Sequence, residues 1–152
     1  MSKVDVIRPG PPFETTLMVR DNCLCLHLQR AARAIARRFD EALRPVGLTN
    51  GQFSLLMSLN RPEPPLMKDV ASLLAMDRTT LTASLKPLER RGLLVVSIDA
   101  NDKRGRRLAL TEEGLALLVE AVPLWNKGQA ENIRMVSKPE IEKLLADLVA
   151  LS

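Results

Sequence analysis

The sequence predicts a mainly α-helical chain carrying one small β-hairpin, and two observations predict it. Near both ends, apolar residues recur at three-to-four spacing over long stretches, which aligns them as one stripe on a helix. Between these stretches, the run LLVVSI is rich in β-branched residues and RRLAL resumes extended character after Asn101, Asp102 and Gly105, so the two runs read as strands joined by a charged turn. At 152 residues, 46% hydrophobic and 26% charged, the chain is long enough for one domain with a real core and too short for two comfortable ones.

Taken in order, residues 1–15 hold Pro9, Gly10, Pro11 and Pro12 and are predicted to form a flexible arm, with a single domain over 16–152. A long helix is predicted from Thr16 to Leu43, its stripe made by Leu24, Leu28, Ala31, Ala32, Ile35, Phe39, Ala42 and Leu43. Pro45 and Gly47 stop it. Thr49 is placed to cap a second helix whose inner face is Phe53, Leu56 and Leu59, and the RPEPPL segment closes that helix.

Two short helices then follow across a tight turn. The first buries Val70, Ala71 and Leu74; the second starts after the N-cap candidate Asp77 and buries Leu81, Leu85 and Leu88. Pro87 is predicted to bend or loosen the second, because it has no N–H for the carbonyl four residues back. Gly92 ends it and the hairpin comes next. Thr111 caps a further helix, with Glu112 and Glu113 near its positive end. That helix carries Leu115, Leu118, Val119 and Val122, with a kink predicted at Pro123. Ser137 and Glu140 have capping-box spacing ahead of a last helix bearing Ile141, Leu144, Leu145, Leu148 and Leu151. The sequence contains no internal repeats.

Charge is unevenly spread. From Arg78 to Arg107 there are eight cations, Arg78, Lys86, Arg90, Arg91, Lys103, Arg104, Arg106 and Arg107, against three anions, Glu89, Asp99 and Asp102. The local excess already exceeds the +4 of the whole chain, so the basic charge is focused on one helix and one hairpin, as a polyanion-binding surface requires. A helix-turn-helix followed by a basic hairpin is a winged helix-turn-helix, the module that grips duplex DNA. An enzyme is disfavoured by one histidine, no tyrosine, no nucleophile elbow, no phosphate-binding glycine loop and no evident acidic pair. A protein-interaction module is a further class for a winged helix, but it does not predict a clustered basic hairpin. With no apolar run of membrane-spanning length and no signal-peptide core, the chain is expected to be cytoplasmic.

DANDKRGRRLALTEEG after LERRGLL is similar to the wing signature of the MarR family, the multiple-antibiotic-resistance type of bacterial transcription regulators. The matching residues are Asp99, Asp102, Arg104, Leu108, Leu110, Thr111 and Glu112; Asn101 departs from it, where many members carry Arg. The resemblance covers nearly the whole chain. It implies a winged helix-turn-helix over 48–112 flanked by dimerisation helices at 16–45 and 115–152. It also implies a homodimeric repressor on a pseudo-palindromic operator in double-stranded DNA, with no cofactor. The DNA-binding set is then Lys68, Arg78, Thr79, Thr80, Thr82, Lys86, Asp102, Lys103, Arg104 and Arg106. In it Arg104 probes the minor groove, Asp102 orients it, and Lys103 and Arg106 meet phosphates. Arg90 and Arg91 are expected to be solvated charges near the helix end.

The family also implies release by a small aromatic or anionic inducer, for which Arg30, Arg33, Phe53, Met57 and Trp125 are candidate lining residues. Cys23, Cys25 and His27 lie close together, but on a helix Cys23 and His27 share a face while Cys25 points away. One chain therefore offers at most two ligands, fewer than a structural zinc needs, and no metal site is expected. Cys25 resembles the reactive cysteine of the organic-hydroperoxide branch of the family, an alternative in which Cys23 or Cys25 senses oxidants. That branch activates its thiol through tyrosines, and this chain has none. Packing of both thiols as small apolar fillers is the favoured reading.

Overall fold

The computed structural model describes residues 10–136 and 140–152. The elements are α1 (Phe13–Asn22), α2 (Leu24–Leu43), a short 3-10 turn (Arg44–Val46), α3 (Asn50–Ser58), α4 (Met67–Leu73), α5 (Arg78–Arg90), β1 (Leu94–Ile98), β2 (Arg106–Leu110), α6 (Glu112–Arg134) and α7 (Ile141–Leu151). They fall into two compact units, Met1–Ile35 and Ala36–Ser152.

In the first unit, residues 1–9 of the predicted arm lie outside the described residues. The rest of that arm is partly helical: α1 starts at Phe13, because Pro12 occupies the N-cap at φ −56° and ψ 152°, a backbone setting from which a helix readily starts. The single helix predicted from Thr16 to Leu43 is broken. Cys23 adopts φ −73° and ψ 111°, and its N–H ends α1 by donating to the Val19 carbonyl. Two causes combine at the break. The Asn22 side chain donates to the Met18 carbonyl at 2.8 Å, the local competition that makes Asn a poor helix former. Helix α1 also buries no residue, so no packing energy holds it in line with α2.

In the second unit, a core of Leu43, Leu48, Phe53, Leu55, Leu56, Leu59, Val70, Leu81, Leu85, Leu88, Leu94, Leu108 and Leu118 gathers one face of every helix from the end of α2 to α6. Helix α3 begins with the predicted cap, completed into a capping box: Gln52 N–H donates to Thr49 Oγ1 at 3.2 Å and Thr49 N–H to Gln52 Oε1 at 3.1 Å. Its inner face is the predicted one with Leu55 added. Between α4 and α5 the chain turns through Ala75 at φ 49°, a left-handed setting that costs a non-glycine residue about 1–2 kcal/mol. Helix α5 runs through Pro87, and α6 through Pro123, without interruption. Each proline leaves unpaired the carbonyl four residues back, on Ala83 and Val119, and both of those residues are exposed, so water can serve them.

Strands β1 and β2 pair antiparallel, from Leu94 opposite Leu110 to Ile98 opposite Arg106. A third edge was not foreseen. Leu66 bridges Arg107, and Leu108 N–H donates to the Pro65 carbonyl at 3.0 Å, which sews the hairpin to the segment before α4. At its base, Thr111 Oγ1 accepts from Gly114 N–H at 3.0 Å and donates to the Gly92 carbonyl at 2.6 Å. A Cβ on Gly114 would collide with the Leu93 carbonyl, so α6 enters the core only with glycine there. The predicted capping partner Ser137 lies outside the described residues; Glu140 is the N-cap of α7 and makes no side-chain cap bond. Helix α7 leaves Leu144, Leu145, Leu148, Val149 and Leu151 exposed. Among the described residues, no helix is long and apolar enough to cross a membrane.

Candidate nucleic-acid interface

Asp77 sets the start of α5. Its carboxylate accepts the Thr80 N–H at 2.8 Å and the Thr80 hydroxyl at 2.7 Å, and these bonds, the backbone one first, hold its pKa below the ordinary carboxylate value. Two further hydroxyl protons are committed to the helix itself, since Thr82 donates to the Arg78 carbonyl at 2.8 Å and Ser84 to that of Thr80 at 2.9 Å. Thr80 and Thr82 therefore present acceptor lone pairs more than donors. Arg78, Thr79, Thr80, Thr82 and Lys86 are all exposed, so the predicted outer face of α5 is the solvent face.

At the hairpin tip, Asp102 organises Arg104. One carboxylate oxygen accepts the Arg104 N–H at 3.0 Å and its Nε–H at 3.3 Å, and the other lies 3.5 Å from Nη2. The backbone bond, then the guanidinium, lowers the Asp102 pKa, and the nearby Lys68 lowers it further. Arg104 itself stays 92% exposed, a cation aimed outward from a fixed base. Lys103 is exposed beside it. Arg106 folds back, one guanidinium nitrogen donating to the carbonyls of Lys103 at 3.0 Å and Gly105 at 3.1 Å.

An open cleft of about 430 Å³ lies between α4, the first turn of α5 and the hairpin. Lys68, Arg78, Arg104 and Arg106 line it with Asp99 and Asp102, over Leu66, Met67 and Ala71. Five of the ten residues predicted to meet DNA thus converge on one surface although they come from three segments. Thr79, Thr80, Thr82 and Lys86 extend that set along α5.

Two cations have roles that counting charges missed. Arg107 Nε donates to Asp99 at 2.8 Å and its Nη1 to the Pro64 carbonyl at 2.8 Å. Asp99, with a side chain 8% exposed, has its pKa lowered from the ordinary carboxylate value, chiefly by its bond from Arg107. Arg91 is exposed, as expected of a solvated charge, and it also donates to the Gly47 carbonyl at 2.9 Å, tying the end of α5 to the turn before α3. In both cases the acceptor is a backbone carbonyl more than forty residues away, for which sequence spacing carries no signal.

Of the inducer candidates, Phe53 is buried while Met57 and Trp125 are half-buried against the core. Trp125 stacks on Phe53 with ring centroids 6.0 Å apart, and on its other neighbour Phe39 at 6.1 Å. Arg30 and Arg33 are exposed on the part of α2 that belongs to the first unit. The cysteines differ from expectation. Cys23 sits at the helix break, half-buried, with Sγ accepting the Leu26 N–H at 3.4 Å, and Cys25 is exposed with Sγ accepting from Gln29 at 3.1 Å. The premise that both lie in one intact helix does not hold.

The chain is similar to proteins of known kind. A family model described as the MarR family matches residues 48–105. The M. tuberculosis transcriptional regulator MosR, solved in complex with DNA, is 41% identical over 84% of this chain and 93% of its own, with a TM-score of 0.75. The transcriptional repressor CouR of Rhodococcus jostii RHA1, solved on a 23-mer DNA duplex, is 28% identical over 88% of this chain and 94% of its own, with a TM-score of 0.76. A mutant MarR from E. coli, at 22% identity over 93% of this chain and 99% of its own, has a TM-score of 0.77 and shares the fold.

Proposed function

The chain belongs to the MarR family of transcriptional regulators, and from that membership we propose that it is a homodimeric repressor of double-stranded DNA, released by a small aromatic or anionic inducer. The observation that carries the DNA reading is the basic cleft with the solvent face of α5 beside it. Arg78, Thr79, Thr80, Thr82 and Lys86 enter the major groove and meet base edges and phosphates. Arg104 reaches the minor groove, where a narrow A·T-rich stretch concentrates negative potential, and Asp102 fixes its direction. Lys68, Lys103 and the free part of the Arg106 guanidinium meet phosphates, which position without specifying.

Exposed leucines on α7 and on α2 support a second copy as the partner, and two-fold symmetry then requires a pseudo-palindromic operator. Phe53, Met57 and Trp125 are the proposed apolar contacts for an inducer, which acts by binding best to the dimer whose recognition helices are wrongly spaced. On this reading the protein is a cytoplasmic binding protein and not an enzyme.

Titration of labelled operator across a salt series tests the reading. Affinity should fall linearly with salt on logarithmic axes, and Arg104→Ala should weaken binding by about 1–3 kcal/mol. Salt-independent binding, or Arg104→Ala binding as the parent does, overturns the corresponding part.

A second reading, oxidant sensing, gains support from the break at Cys23. Disulfide closure between the two thiols is no longer barred by a continuous helix, although the first turn of α2 must still yield. With an organic hydroperoxide as oxidant, the Cys25 thiolate attacks the peroxide, the O–O bond breaks, the alcohol leaves after taking up a proton, and Cys25 becomes a sulfenic acid. The Cys23 thiol then displaces water to form the disulfide. Peroxide-treated protein should lose two hydrogens by mass spectrometry and release DNA. If Cys25→Ser is released by peroxide as readily as the parent, this reading is wrong.

A further inference from the structure

Arg107 stands in the most basic stretch of the chain, yet it is built unlike its neighbours. Its side chain is 33% exposed, against 92% for Arg104. Both bonds it makes lie within the protein: Nε to Asp99 and Nη1 to the Pro64 carbonyl, each at 2.8 Å. Paired with a nearly buried carboxylate, it adds little net charge to the DNA-facing surface. The Asp99 carboxylate in turn accepts the Asp102 N–H at 3.2 Å, and Asp102 is the base on which Arg104 is mounted. A continuous chain of polar contacts thus runs from the segment before α4, through Arg107, Asp99 and Asp102, to Arg104. The planar fork of Arg107 fits this role, because it spans two acceptors of fixed geometry and a lysine ammonium does not.

We propose that Arg107 and Asp99 are positioning residues for DNA recognition, a latch that fixes the wing against the helix-turn-helix and aims Arg104, and that Arg107 makes no contact with a phosphate. The proposal rests on the reading of Arg104 as a DNA contact. It adds a specificity-determining device: with the latch open, Arg104 keeps its charge but loses its direction, so preference for A·T over G·C at the positions beneath the wing falls along with affinity.

The test is a double-mutant cycle on the full-length dimer. Operator affinity, its salt slope and its A·T preference are measured for the parent, Arg107→Met, Arg104→Ala and the double variant. Arg107→Met should lose about tenfold in affinity and should flatten the A·T preference. Its salt slope should match the parent's, and Arg107→Met should cost little more once Arg104 is already alanine. Arg107→Lys should behave like Arg107→Met, since it restores charge but not the fork. A slope smaller by about one unit makes Arg107 a phosphate contact and overturns the proposal. So do fully additive losses, or full rescue by lysine. Should Arg107→Met be unfolded at the assay temperature, Asp99→Asn, which keeps the shape of the side chain, runs the same cycle with the same expectations. Arg104→Ala binding as the parent does defeats the reading of Arg104 itself; weakened Arg104→Ala with additive Arg107 losses defeats only the latch.

Discussion

Arg104 and Arg107 are three positions apart in one basic run, and their environments divide them completely. Arg104 is held at its base by Asp102 and is otherwise solvated, whereas Arg107 is engaged from both sides inside the protein. Lys103 belongs with Arg104 in exposure but has no fixed base, so Lys103→Ala should reduce the salt slope of operator binding by about one unit and leave sequence preference intact. A variant with altered preference and an unchanged slope would contradict its positioning role. Gly114 is a residue of the opposite kind, with no chemistry and no tolerance. Because a Cβ there meets the Leu93 carbonyl, Gly114→Ala should destabilise the fold by about 1–3 kcal/mol, read as a lower midpoint in urea; an unchanged midpoint would mean that the strand end and α6 separate easily.

At the scale of elements, local rules located most of the boundaries. Thr49, Asp77 and Thr111 cap the helices they were predicted to cap, because capping depends on residues within one turn. Thr111 does more than cap, since its hydroxyl also donates to the Gly92 carbonyl and so pins α6 to the end of α5. Thr111→Ala should therefore cost about 1–2 kcal/mol and Thr111→Ser much less; equal losses from both would show that the methyl group, not the hydroxyl, is what matters. The local rules failed where continuity was in question. An apolar stripe predicted one helix from Thr16 to Leu43, and the chain breaks at Cys23 because α1 buries nothing that would enforce the stripe. Prolines at 87 and 123 each remove one backbone donor from α5 and α6, and both helices continue through them. The carbonyls these prolines orphan belong to exposed residues, where solvent can reach them.

For the whole molecule, three aspartates, Asp77, Asp99 and Asp102, are held below their ordinary pKa by bonds that exist only in the folded chain. A depressed carboxylate contributes stability that is fully present above its unfolded pKa, about 4, and is lost as pH falls through its folded value. Thermal stability should be level from neutral pH to about 5 and decline below about 4, and Asp99→Asn should make that acid decline shallower. A decline of unchanged steepness would show that the Asp99–Arg107 pair adds nothing. Fold class, the helix-turn-helix, the hairpin and the outer face of α5 were legible in the sequence, because each follows from periodicity, capping and turn chemistry within a few residues. Only the tertiary structure decided which cations are surface and which are fasteners, that Leu66 closes a third edge on the wing, and that Lys68, Arg78, Arg104 and Arg106 share one cleft. Those outcomes depend on carbonyls and carboxylates brought close by the fold, and sequence spacing holds no record of such distances.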